Sequence, residues 1–507
     1  MKAKSLLALL LLLACTLCTF ASCKNSGETT STPSVGDVSQ STSEDVSTEP
    51  VEVFPFEDYY EEQTLKILCV STSRHVYGTL QFVPDPESNY TAVSEAVKAR
   101  NDLIEQNYGI SIEIYDVQYP VTELRTLVES GLCDYDLVCE SVDRMMQSVT
   151  ENLFWSVDDL VDYSYSWWDT EAIDALSIAG KHYFLSGDAM ITDDDNTYLY
   201  LFNKDMYNDN TVFDATYGDI YQMVKDGKFT IDVFEEMCRV VSQPSQDGQW
   251  DFYATYGNLS HAYGATVMMN GFDFATASPE ENGYFTLNVG TEHGIALYDK
   301  VYRLMSDRQL TQRAELIIGQ GSTPSKYGFA ELEEMFVSGR GLFYNTTSSS
   351  ISILKARGDD VAFEFGVLPI PKYDEAQTNY CNTVNRYQSS VLGIPVSNTE
   401  HREATCVLLQ ALGYHSKEVT NAYYQQTLQL QALTDNNDAD MLDLIYSNRF
   451  YDIGAMFEWG NSALINFYGA LINNTSSNDI VSRWDAISAS VETGMQETID
   501  AYKDSLT

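Results

Sequence analysis

Positive charge is scarce in this chain. Its 507 residues carry 29 Lys+Arg against 74 Asp+Glu, a formal net charge of −45. Nucleic-acid binding needs a basic footprint, so this balance argues against DNA or RNA as a partner. It argues equally against docking on anionic lipid through a basic patch. Long apolar runs are absent beyond the N-terminal segment, so no internal membrane span is expected. Histidine is limited to 6 scattered residues. Past residue 23 there is no Cys-x-x-Cys, and the chain has no His-Glu-x-x-His, Gly-x-Ser-x-Gly or phosphate-loop pattern. No catalytic group, metal or cofactor is therefore singled out. With 74 acids a glycosidase-like carboxylate pair stays open. Cys69, Cys133, Cys139, Cys238, Cys381 and Cys406 are scattered, several within apolar runs, and read as structural thiols, with one disulfide left open. What is plentiful is aromatic: 12% of the residues, 34 of them Tyr, which marks most of the chain as globular.

The N-terminus reads as a targeting signal. Lys2 and Lys4 precede the apolar run from Leu6, and Phe20-Ala21-Ser22-Cys23 resembles a bacterial lipoprotein box. The expectation is a signal peptide over 1–22, lipidation of Cys23 and a membrane-anchored protein facing outside. Leu12-Leu13-Ala14-Cys15 is a rival box, and ordinary signal-peptidase cleavage is the alternative. Residues 23–63 are rich in Ser, Thr and acids and read as a tether. About 40 such residues span roughly 35 Å as a coil.

Beyond the tether, apolar periodicity alternates between strand and helix. Leu65–Val70, Ile110–Tyr115 and Tyr135–Cys139 read as strands, and helices between them stop near Gly109 and Gly131. This βαβαβ pattern predicts an α/β fold with a parallel sheet and crossover helices. Further strands are expected at Lys181–Leu185, Tyr198–Phe202, Gly341–Tyr344, Phe363–Leu368 and Ser389–Val396. Helices are expected at Thr230–Val241, Ile295–Ser306, Phe329–Val337, Glu403–Tyr414 and Trp484–Tyr502. Ligands of open α/β sheets sit beyond the carboxyl ends of strands. That rule selects Ser71, Ser73 and Arg74 after the first strand and Ser141 and Asp143 after the third. Trp167 and Trp168 are candidates to stack on a sugar face, with Trp459 as a further aromatic. For each tryptophan, core packing is the competing reading. Asp188, Tyr344 and Asn345 complete the candidates. The run Asp193-Asp194-Asp195 reads as a solvated loop.

Several short strings share an order and spacing: Ala99-Arg100-Asn101, Tyr135-Asp136-Leu137, Trp167-Trp168-Asp169, Phe202-Asn203-Lys204, Gly339–Phe343, Leu368–Tyr373 and Met441–Ile445. Together they resemble the bacterial extracellular solute-binding proteins of family 1, whose architecture is like that of maltose-binding protein. The resemblance covers about residues 64–507. It implies a two-lobed periplasmic-binding-protein type II fold with hinge crossovers. Lobe 1 is expected at 64–190 plus 345–392, and lobe 2 at 191–344 plus 393–507. Crossovers are expected near Asp188–Thr197, near Tyr344 and near Leu392. The implied function is capture of a small-molecule solute, most often a carbohydrate, for the permease subunits of an ABC importer, by a monomer. A glycan-acting surface enzyme and a non-sugar binder or adhesion lipoprotein remain the alternatives. A calcium loop occurs in relatives around Asp247 and Asp251, but here Ala254 stands at the bidentate twelfth position, so no metal is expected.

Overall fold

The computed structural model describes residues 52–280, 283–429, 436–473 and 477–504. The signal segment and Cys23 lie outside the described residues. Strands β1 (Gln63–Val70), β2 (Ile110–Val117) and β3 (Leu137–Ser141) form a parallel core with β1 in the middle. Helices Thr91–Tyr108 and Pro120–Ser130 provide the crossovers. The first ends at Gly109, which has φ +75° and whose Cβ would sit 2.6 Å from the Glu61 carbonyl oxygen, so the stop signal is doubly required to be glycine. The second sheet runs β4 (Tyr198–Asn203), β5 (Tyr256–Ser260), β6 (Thr311–Arg313), β7 (Gly341–Thr347) and β8 (Phe365–Leu368) in chain order. Its spatial order is β8-β4-β7-β5-β6. Strand β9 (Ser390–Gly393) then returns to the first sheet, antiparallel to β3.

That return corrects the expected division of the chain. The segment 345–392 does not lie wholly with the first sheet, because β8 pairs with β4 in the second. Tyr344 is no crossover; it sits inside β7, opposite Leu201. Nor does 393–507 lie wholly with the second sheet. Ile394, Ala404, Val407, Leu408, Ala411 and Leu412 share one apolar cluster with Leu65 and Ile67 of β1. The chain passes between the sheets at Ile191–Thr197 and again at Val384–Ser389, and an antiparallel bridge Thr197–Val384 joins the two passages. The C-terminal helix Ile480–Asp504 touches both halves. Tyr502 Oη donates to the Met146 carbonyl at 3.2 Å, while Thr498 Oγ1 accepts from Trp459 Nε1 at 2.9 Å.

Two other expectations change. Residues Lys181–Leu185 are not a strand; Lys181 and Leu185 make only isolated bridges, to Ile178 and Leu392. The tether does not run to residue 63. Phe54 is 4% exposed and packs its ring on Tyr108 at 4.7 Å and on Tyr414 at 5.4 Å. Glu52 accepts a hydrogen bond from the Ser166 backbone N–H at 3.2 Å. No helix of the described residues is long and apolar enough to cross a membrane.

Candidate functional site

The carboxyl ends of β1, β2 and β3 converge on one edge of the first sheet. Arg74, after β1, donates to Glu140 Oε1 at 2.6 Å, to the Gln118 carbonyl at 2.9 Å and to Ser141 Oγ at 3.0 Å. Glu140 is fully buried; burial pushes its carboxyl up, and the Arg74 charge pulls it back down. Ser71 and Ser73 share a hydroxyl–hydroxyl hydrogen bond of 2.9 Å, and Gln118 Nε2 donates to Ser73 Oγ at 2.6 Å. These two serines thus shape the loop that presents Arg74. His75 bridges to the second passage, with Nδ1 3.1 Å from Ser390 Oγ and Nε2 2.9 Å from the Tyr387 carbonyl. Burial, helped by the Arg74 charge, lowers His75 to about 4, so it is neutral there.

Facing this edge, residues of the second sheet line a cavity of about 430 Å³ that Val76 and the passage residues Asp195, Asn385 and Gln388 also bound. Tyr344 and Asn345, inside β7, both line it. Asn345 is held by long contacts, 3.4 Å to the Leu199 carbonyl and 3.5 Å from Ser260 Oγ. His261, beyond β5, packs on Tyr198 at 5.7 Å and edge-on to Phe329 at 5.4 Å. Val76, two residues beyond Arg74, brings the loop after β1 to this cavity. Polar groups there await partners: among the described residues Glu140 Oε2, Asp143 Oδ1 and Arg386 Nε are buried without a hydrogen bond. Apolar faces lie open beside them, with Phe329 47% and Tyr387 46% exposed. Stacking surface next to fixed acceptors and donors suits a polyhydroxylated solute.

Of the sequence candidates, Tyr344 and Asn345 line this cavity, while Ser71, Ser73, Arg74, Ser141 and Asp143 lie at the strand ends of the first sheet. The tryptophans do not supply its stacking faces. Trp167 and Trp168 are buried in the first-sheet core, where both indole N–H groups donate to Gln410 Oε1, at 2.7 and 2.9 Å. Trp459 is 2% exposed and stacks on Phe457. Asp188 lies elsewhere too, at a second cavity of about 630 Å³ that one edge of Trp168 also lines. Asp193 and Asp194 are buried there, which corrects the solvated-loop reading. Arg449 gathers them: it pairs with Asp194, donates to Asp169 Oδ2 at 3.0 Å and lies 3.6 Å from Asp193 Oδ2. Burial, with Asp193 beside it, raises Asp188 to about 6.

Sequence reasoning missed Tyr119, Arg144, Arg386 and Tyr387. Tyr119 and Arg144 were within reach, since the strand-end rule that chose Arg74 applies equally after β2 and β3. Arg386 and Tyr387 carried no signal once the second passage had been sought elsewhere.

No protein-family model matches the chain, and no curated protein matches it. Solved structures do. The galacto-N-biose-/lacto-N-biose I-binding protein of the ABC transporter from Bifidobacterium longum, in complex with lacto-N-biose, superposes with a TM-score of 0.53 at 12% identity. The match covers 88% of this chain and 99% of that one. A cyclo/maltodextrin-binding protein complexed with maltotetraose gives 0.52 at 14% identity, covering 88% and 98%. An ABC substrate-binding protein from Listeria monocytogenes, in complex with cycloalternan, gives 0.51 at 12% identity, covering 87% and 100%. The chain therefore has the two-lobed α/β fold of these sugar-binding proteins of ABC transporters.

Proposed function

We propose that this chain is the substrate-binding subunit of an ABC importer, capturing an oligosaccharide in the cleft between its two sheets and delivering it to the permease. The observation that carries the reading is the cleft itself. The exposed ring of Tyr387 stacks with Arg386, whose Nε is buried without a partner within the described residues, and the exposed ring of Phe329 lines the cavity. A sugar offers the complement, an apolar ring face and a rim of hydroxyls that donate and accept. Two chain passages joined by one bridge give closure a place to bend, and contacts to both halves would favour the closed form. The work is differential affinity between open and closed states, with no bond made or broken. Lipidation at Cys23 on the outer face of the cell membrane would keep the protein beside its permease.

The test is thermal unfolding of the chain from Glu52 onward against mono- and oligosaccharides, amino acids and peptides. A ligand at about 100 times its Kd stabilises by roughly 2.7 kcal/mol. A glycan that raises the midpoint and is recovered intact supports the carrier. A glycan recovered cleaved, or stabilisation by amino acids or peptides alone, overturns it.

A further inference from the structure

At the strand ends of the first sheet, arginines gather in an otherwise acidic chain. Arg74, Tyr119 and Arg144 follow β1, β2 and β3 in turn, one from each strand end. Both guanidinium groups rest on the same ring, the Arg74 carbon 5.0 Å and the Arg144 carbon 4.6 Å from the Tyr119 centroid. Tyr119 is 47% exposed, so the assembly stands open to solvent. The two arginines differ in one respect. Arg74 is neutralised by Glu140 at 2.6 Å, and that oxygen also accepts from the Ser141 backbone N–H at 2.9 Å. Arg144 has no ion pair and no hydrogen bond among the described residues; its one contact of this kind is the Tyr119 ring.

The backbone of a third arginine meets the same helix. The backbone N–H of Asp143 donates to the Arg386 carbonyl at 3.3 Å, which ties Arg386 to the helix that carries Arg144. Arg386 is 4% exposed, donates to the Ala455 carbonyl and to Tyr387 Oη, and forms no ion pair; its Nε is buried and unpartnered. Three carboxylates face this group. Glu140 is taken by Arg74. Asp143 pairs with neither remaining guanidinium and keeps a free buried oxygen. Asp452 is turned to Thr276 and Asn270, at 2.8 and 3.2 Å. Asp195 and Glu333 line the cleft cavity as well, so the positive charge is local to Arg144, which alone of these arginines has neither an ion pair nor a hydrogen bond among the described residues.

We propose that the cleft takes an acidic oligosaccharide, one whose rings carry carboxylate or sulfate groups, and that Arg144 engages the acidic group. This rests on the carbohydrate reading above and adds the chemical class to it. A guanidinium on an aromatic face keeps in-plane N–H donors free for two parallel hydrogen bonds to a planar or tetrahedral oxyanion. The partition of unpaired groups fits the same ligand. Asp143 Oδ1 and Glu140 Oε2 accept from sugar hydroxyls, while Arg144 and Arg386 Nε donate to the acid. A neutral sugar would fill the acceptors and leave Arg144 without a counter-charge.

The experiment is titration calorimetry of the full mature chain with matched tetrasaccharides. One pair is tetragalacturonate and its carboxyl-reduced neutral parent; the other is a sulfated galactose tetrasaccharide and its desulfated parent. The proposal expects at least one acidic member to bind about ten-fold or more tightly than its parent, with an affinity that falls as salt rises. Arg144→Gln should abolish that preference while leaving the parent's affinity within about three-fold, and Arg144→Lys should keep part of it. The pair that shows the effect identifies the acid. The unliganded unfolding midpoint of each variant is the control for folding. Neutral parents binding as well as or better than the acidic members would overturn this proposal and leave the carbohydrate reading standing. So would Arg144→Gln weakening both members equally. Failure of every member of both pairs to bind would overturn this proposal, and if the neutral sugars of the unfolding screen also had no effect the carbohydrate reading would fall with it.

Discussion

Asp195 is a buried carboxylate without a cation. It is 5% exposed, and its carboxylate accepts from the Tyr423 hydroxyl at 3.4 Å. Burial raises its carboxyl to about 7, with the Tyr423 hydrogen bond pulling weakly the other way. In the unfolded chain the same group ionises near pH 4. Between those two values the native protein still holds a proton that the unfolded chain has released. Stability therefore falls as pH rises through this window. The loss is nearly absent below about pH 4 and complete above about pH 8. Three units correspond to about 4 kcal/mol at the upper end and about 1–2 kcal/mol at pH 5. Asp195→Asn keeps the shape and removes the charge. Whatever the amide loses in hydrogen bonding applies at both pH values. The variant should therefore gain about 2–3 kcal/mol on the parent between pH 5 and pH 8. With about 2.1 cal/mol/K of unfolding entropy per residue over some 450 residues, that is about 3 °C in the midpoint difference. Calorimetry of both proteins across this range reads it directly. A midpoint difference that stays flat with pH, or moves against the variant at pH 8, would refute the reasoning.

Three further substitutions probe other parts of the structure. Gln410→Leu removes the one acceptor shared by Trp167 and Trp168 Nε1; two buried donors left unpaired should cost about 2–5 kcal/mol in urea unfolding, and a loss under about 1 kcal/mol would contradict the arrangement. Phe54→Ala should cost about 3 kcal/mol and expose residues 52–63 to protease, because that ring is 4% exposed against Tyr108 and Tyr414; an unchanged digestion pattern would mean the segment is not docked. Arg449→Met leaves Asp169, Asp193 and Asp194 facing one another without their cation. It should destabilise by about 3–5 kcal/mol at pH 8 and by less at pH 5, where raised carboxyls regain protons; a pH-independent loss would argue that Arg449 acts by packing alone.

Local pattern was enough for the first sheet. The three strands β1 to β3 each announce themselves by a short apolar run, and Gly109 and Gly131 mark where the helices between them stop, both with positive φ. Pairing across long stretches of sequence was not legible. Phe365–Leu368 reads as a strand, but its partner is β4, and nothing in either sequence says which sheet the pair will join. Tyr183, Phe184 and Leu185 are apolar and buried, as a strand would be, yet they fill a gap in the core as irregular chain. The tryptophans failed for a related reason. An indole beside an aspartate looks like a sugar platform until Gln410 arrives to take both N–H groups. Strand ends, by contrast, are set by topology, and the residues chosen on that rule do gather at the carboxyl ends of β1 and β3.

The triple aspartate shows how a charge run can mislead and inform at once. Read alone, three consecutive carboxylates belong in water, because each buried charge is costly without a partner. The structure instead winds Thr192–Asp195 into a single helical turn at the first passage between the sheets. Consecutive side chains on such a turn diverge, so the turn can serve two surroundings. Asp193 and Asp194 line the cavity of Arg449, whereas Asp195 lines the cleft cavity. Arg449 comes from the short strand Arg449–Phe450, which pairs with Asn382–Thr383 just ahead of the second passage. One cation thus links the first passage to the approach of the second, on a side away from the proposed ligand. Under the proposed closure, any bending at the passages must carry this ion cluster with it as a unit or strain it. The proton affinity of these aspartates then becomes a property of the open–closed balance, and ligand affinity should depend on pH even for a neutral sugar that contacts none of them.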